Sequence, residues 1–131
     1  MKNTIFKPLE YLYYFSLFIL LVLYLFPGSL IGYFLYGNLG QQPDLISNPI
    51  GTSINHLIFF FYLTTLGLVV RLEHKYFLNT FPFLFTISIV LELAHWLIPN
   101  RAFDYYDLFA NSIGVMTAYL LINIFFKLKI K

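Results

Sequence analysis

Hydrophobic positions along the chain fall into four long runs, separated by segments rich in Gly, Pro, Asn and charge. The first, Leu9 to Phe26, is ~27 Å long as a helix at 1.5 Å per residue, close to the ~30 Å hydrocarbon core of a bilayer. Pro27-Gly28-Ser29 stops it. A short cationic start before an apolar run also describes a signal peptide, but this run is long for one and no A-x-A-like site follows, so it reads as an uncleaved first helix. Ile54 to Val70 forms the second span, with Thr52 or Ser53 available to cap its first turn. Phe81 to Ile98 forms the third, with Pro82 in its first turn and Pro99 at its end. Leu108 to Phe126 forms the fourth. Between the first two spans, Leu30 to Ser53 mixes the short apolar piece Leu30–Tyr36 with Gly37, Gly40, Pro43, Asp44, Asn48, Pro49 and Gly51, and reads as a loop with room for an interfacial segment. There are no internal repeats. The expected fold is a single all-α membrane domain over 1–131, a bundle of four transmembrane helices at about 9–26, 54–70, 81–98 and 108–126.

Composition turns that pattern into a statement about solvent. Hydrophobic residues make up 60% of the 131 positions and charged residues 11%, with a mean hydropathy of +0.76. A soluble domain carries about 45–50% apolar and about 25% charged residues, so a soluble enzyme is excluded and the exterior must face lipid. The 16 Phe, 11 Tyr and one Trp suit rings at acyl and headgroup level. With no Cys there is no disulfide framework, thiolate metal site or Cys nucleophile. The net charge of +2 is small and its basic residues are unclustered, which excludes nucleic acid as a partner.

The same basic residues set an orientation. Lys2, Lys7, Arg71, Lys75, Lys127, Lys129 and Lys131 all fall on one side of the four-span arrangement, leaving Arg101 alone on the other. By the positive-inside rule both termini are cytoplasmic in a bacterial inner membrane, and the Leu30–Ser53 and Pro99–Tyr106 loops face outward.

Ionisable groups at membrane depth cost about 2.5–3.5 kcal/mol each on insertion scales, so each needs a reason. Glu92 lies ~9 Å below the outer end of the third span, and His95, three residues on, shares its face. The second and fourth spans descend from the same surface, placing His56 and Asn111 at a similar depth. Asn111, Gly114 and Ala118 form one stripe of small or polar residues along which the fourth helix can approach a neighbour closely. Asp104 and Asp107 fit an N-cap and an N3 acid at the start of the fourth helix, with Arg101 expected to pair with one of them. A polar pocket under the outer surface satisfies these groups together. Blander roles compete: Glu92 and His95 as an interhelical clamp, His56 as a packing histidine, Asn123 and Thr117 as interhelical bonds, and Glu73-His74-Lys75 as a solvated cytoplasmic turn.

The string from Glu92 to Gly114 resembles the VanZ-like family of small bacterial membrane proteins, through the pattern E-x-x-[QH], P-x-R and D-x-x-x-N-x-x-G. Here these are Glu92 and His95, Pro99 and Arg101, then Asp107, Asn111 and Gly114. Asn55-His56 is similar to the family's helix-opening D-K-x-x-H, with Asp and Lys replaced, and His95 stands where Gln is commoner. The resemblance covers about Thr52 to Tyr119. It implies a cell-envelope role and an association with glycopeptide resistance, teicoplanin in particular, without a biochemical mechanism.

The leading expectation is an envelope protein whose extracytoplasmic pocket, lined by His56, Glu92, His95, Arg101, Asp104, Asp107 and Asn111, binds a polar, lipid-linked or cell-wall component among membrane lipids. Arg101 could hold a phosphate or carboxylate with help from the neighbouring helix N-terminus, although one cation beside several carboxylates makes a poor phosphate clamp. A second expectation is a structural or assembly subunit of a larger membrane complex. A third is an envelope enzyme using Glu92 or His95 as base and Arg101 as electrostatic stabiliser. The sequence favours a non-enzyme: there is no Ser nucleophile elbow, no H-x-x-x-H or H-E-x-x-H metal signature, and no cofactor is expected. Topology is directly testable, because the chain has no Cys of its own. Single cysteines at positions 48 and 102 should react with a membrane-impermeant thiol reagent in intact cells, and one at position 75 should not. Labelling at 75 would reverse the orientation.

Overall fold

No water is present in a bilayer core to bond stray amides, which confines a spanning chain of this composition to helix. In the computed structural model, which describes residues 2–43 and 51–129, every regular element is indeed helical. They are α1 (Lys2–Leu25), α2 (Leu30–Tyr36), α3 (Gly51–Val70), α4 (Phe81–Ala94) and α5 (Tyr105–Lys129), with a 3-10 turn at Phe77–Asn79 before α4. Three helices, over Phe6–Leu25, Gly51–Val70 and Tyr105–Lys127, are long and apolar enough to cross a membrane. The α4 helix is apolar but has 14 residues, or ~21 Å. Asp44, Asn48, Pro49 and Lys131 lie outside the described residues.

Local signals explain most boundaries. Thr80 caps α4 by accepting from the Phe83 amide at 3.3 Å, with Pro82 in the first turn where its missing N–H costs nothing. Asp104 caps α5, accepting from the Tyr106 amide at 2.8 Å. The helices α1 and α5 extend beyond the expected spans, to Lys2 and over Tyr105–Lys129, and two further departures bear on the site. The third span ends at Ala94 rather than Ile98: the amides of His95, Trp96 and Leu97 bond three residues back, to Glu92, Leu93 and Ala94, at 3.1, 3.2 and 2.9 Å. This tightened turn runs into Pro99, which disfavours the helical conformation in the residue before it. The second span starts at Gly51, so Ser53 is not a cap but an internal residue whose hydroxyl is free for another helix.

The apolar piece 30–36 is a short helix, α2, capped by Ser29, whose side chain accepts from Gly32 at 2.9 Å, and ended by Gly37 at φ 68°. The chain then folds back beneath it, with the Ser29 amide bonded to the Leu39 carbonyl at 2.7 Å. Gly32 has to be glycine, since a Cβ there would lie 1.6 Å from the Gln41 carbonyl oxygen.

The closest helix pair is α3 and α5. A Cβ on Gly114 would meet the Leu57 carbonyl oxygen at 2.5 Å and the Phe61 nitrogen at 3.1 Å, so the absent side chain lets α5 rest on the α3 backbone. Ala118, one turn on, is fully buried on the same stripe. The α1 helix packs across α3 and α4, its Tyr13 ring filling the space over Gly67. Tyr13, Leu17, Leu20, Phe60, Leu63, Leu84, Leu91 and Val115 make one continuous core. The perimeter, including Phe15, Phe18, Phe109, Leu120 and Ile124, is exposed and apolar, as a lipid-facing surface requires.

The 95–104 connection is tied to α1 rather than to α5. The Arg101 Nε donates to the Phe26 carbonyl at 3.2 Å and its NH2 to the Leu23 carbonyl. The expected pairing of Arg101 with Asp104 or Asp107 is therefore not formed. Asp104 is committed as the α5 cap and Asp107 to Ser53, while the last carbonyls of α1 have no intrahelical partner and present the negative end of its dipole.

Two stability outcomes follow. Gly114→Val should destabilise the detergent-solubilised protein by about 1–3 kcal/mol through forced separation of α3 and α5, whereas Met116→Ala, on the perimeter, should leave the melting temperature nearly unchanged. Arg101→Lys, which keeps the charge but cannot reach both carbonyls, should lower the melting temperature about as much as Arg101→Met. Full rescue by Lys would show that charge alone matters at this position.

Candidate functional site

Polar side chains from four helices meet around the C-terminal end of α1. Tyr24 stands at the centre. Its hydroxyl donates to Asn111 Oδ1 at 2.9 Å and lies 2.9 Å from His56 Nδ1. With the single hydroxyl proton committed to Asn111, the Tyr24 oxygen accepts from the His56 N–H. The Asn111 amide is oriented by its donation to the Ser88 carbonyl at 3.2 Å. The Tyr24 ring stacks on His95 with centroids 5.3 Å apart and an interplanar angle of 18°.

Near Tyr24 lie the carboxylates. Glu92 is fully buried, and its Oε1 is 3.2 Å from His95 Nδ1 and accepts from the Asp104 amide at 3.2 Å. Asp107 accepts from the Ser53 hydroxyl at 2.6 Å. His56 Nδ1 sits 3.9 Å from Glu92 Oε2 and 3.8 Å from Asp107 Oδ2. Among the described residues, imidazoles are the only cationic partners within ion-pair range of either carboxylate. The three donor atoms of His56, Glu92 and Asp107 lie within 4.8 Å of one another.

A cavity of about 120 Å³ adjoins this network, lined on its apolar side by residues such as Leu20, Leu30 and Phe59 and on its polar side by Ser29, Asn55, Tyr24, His56, His95 and Arg101. Burial lowers the Arg101 guanidinium from its usual range, and the Glu92 and Asp107 carboxylates pull it back; it remains a cation at any physiological pH. Two atoms of the lining residues, His95 Nε2 and Asn55 Oδ1, are buried without a hydrogen-bond partner.

Of the residues singled out from sequence, His56, Glu92, His95, Asp107 and Asn111 come together in one connected network. Asp104 reaches it through its backbone amide while its side chain serves as a cap. Arg101 borders the cavity but is held by α1. Sequence reasoning missed Tyr24, Ser53 and Ser88. The one available signal for Tyr24 was its position three residues before Pro27, at the depth where the other polar groups converge.

No curated protein and no solved structure matches the chain. A family model does, described as VanZ/LLP1, over residues 2–126, which takes in α1 and the whole polar network as well as the motif region. With its apolar perimeter and three spanning-length helices this is a membrane protein, and it belongs to the VanZ/LLP1 family.

Proposed function

We infer that this protein is a multi-pass protein of the bacterial inner membrane whose outward-facing cavity binds the polar headgroup of a lipid-linked cell-envelope component. On this reading α4 is a fourth crossing, lengthened at one end by the 3-10 turn Phe77–Asn79 and at the other by the turn 95–98, and both termini are cytoplasmic. The distribution of Lys and Arg supports that orientation, with Arg101 alone at the outer end.

The observation that carries the binding reading is a pair of buried polar atoms without hydrogen-bond partners on residues that line the cavity. A buried polar atom without a partner costs about 1–3 kcal/mol, so His95 Nε2 and Asn55 Oδ1, both on residues lining the cavity, call for a polar group from outside the chain. The volume of about 120 Å³ is small beside the ~300–1,000 Å³ of sites that swallow a drug-sized ligand. It suits a headgroup whose hydrocarbon portion stays in the bilayer. Its lining combines apolar residues with polar side chains, which favours an amphiphile.

Lipids retained by the protein through mild detergent purification, identified by mass spectrometry against the bulk membrane, test this. The wild type should be enriched in one polar-headed envelope lipid. Leu30→Trp, which fills the cavity from its apolar wall without touching the buried network, should lose the enrichment while keeping its melting temperature. Equal enrichment in both would overturn the reading, and a stoichiometric partner protein with no enriched lipid would establish an assembly subunit instead.

A further inference from the structure

We propose that His56, Glu92 and Asp107 form a binding site for one divalent first-row metal ion, of the zinc or manganese class, opening toward the outer cavity. The proposal goes beyond headgroup binding and stands without it.

Three helices deliver these ligands, His56 from α3, Glu92 from α4 and Asp107 from α5, which is why no spaced metal signature exists along the chain. Their donor atoms already face one another: His56 Nδ1 is 3.9 Å from Glu92 Oε2 and 3.8 Å from Asp107 Oδ2, and the whole set lies within 4.8 Å. Bonds of ~2.1 Å to one ion put neighbouring ligands ~3–3.5 Å apart, so closing on a cation requires rotamer adjustments and no helix movement. The Tyr24 oxygen, 2.9 Å from the same nitrogen, completes a ring of oxygens around it.

The hydrogen bonds within the cluster leave one of the candidate ligand atoms without a partner. A proton on His56 Nδ1 serves Tyr24 and leaves Glu92 Oε2, on a fully buried side chain, with no partner at all. A divalent cation accepts from the nitrogen and both carboxylates at once, and balances two buried carboxylates with which no Lys or Arg among the described residues forms an ion pair. The imidazole and carboxylate donor set is intermediate in hardness, which fits zinc or manganese better than a soft thiolate metal or an all-oxygen calcium cage. On binding, the ion takes the place of the Nδ1 proton, which leaves to solvent. Three protein ligands leave a coordination position open. A bound ion would also reverse the field that makes the carboxylates hostile to an anionic headgroup.

The test uses untagged full-length protein purified in detergent without chelators, so that no engineered histidines contribute. Elemental analysis should find one zinc or manganese ion per chain. After chelator treatment, cobalt(II) should produce visible absorption bands that zinc abolishes. Asp107→Asn, which can still accept from Ser53, and His56→Gln should each weaken cobalt binding by more than about tenfold, with helicity and elution volume unchanged. A wild type that retains no metal and gives no cobalt bands overturns the proposal, as do variants that bind cobalt like the wild type. Should the variants fail to fold, X-ray absorption of the zinc-loaded wild type decides: one imidazole nitrogen among oxygens is the expected shell, and a shell lacking imidazole overturns the site.

Discussion

Much of this fold depends on one constraint, that polar groups in an apolar surround are costly unless most of them find partners inside the chain. Lipid offers none, and each orphaned group costs kilocalories. The Tyr24 hydroxyl is the group through which that constraint is met. By donating to Asn111 and accepting from His56 it connects α1 to α5 and α3 in a single step, and its ring covers His95. The Asn111 amide extends the chain of bonds to α4 at Ser88. Helices that would otherwise slide against one another on apolar faces are thereby fixed in depth and rotation. Arg101 does the same for the 95–104 connection, by capping the end of α1 instead of pairing with an aspartate.

How much of this is legible in the sequence differs by level. The apolar runs announce α1, α3, α4 and α5, because lipid exposure writes a long uniform signal. The convergence of His56, Glu92, His95, Asp107 and Asn111 is also readable, since charges are scarce enough in this chain that each stands out. Tyr24 is not readable in this way. It is one of 11 Tyr in a chain rich in aromatic residues, and nothing distinguishes a ring whose hydroxyl is buried from one at the headgroups. Arg101 misled for a related reason. Side-chain charges along a loop suggest ion pairs, whereas its actual partners are backbone carbonyls more than 70 residues away, whose availability depends on where α1 ends. The early end of α4 likewise depends on a turn whose bonds run three residues back ahead of Pro99, a preference that hydrophobicity over 95–98 conceals.

The short α4 also has a bearing on the bilayer itself. Beside three helices of spanning length, a 14-residue helix of ~21 Å faces a hydrocarbon layer of ~30 Å. On the proposed topology that hydrophobic mismatch is met by thinning the bilayer beside the helix, at a fraction of a kcal/mol per ångström. Trp96, Tyr105 and Tyr106 are exposed beyond the C-terminal end of α4, and amphipathic rings favour the membrane interface. On the proposed topology the headgroup plane dips toward α4, and an amphiphile diffusing along the membrane meets a lowered rim there. Membrane thickness then becomes a variable that tunes the protein: a thicker, stiffer bilayer raises the cost of the dip, and a thinner one relaxes it.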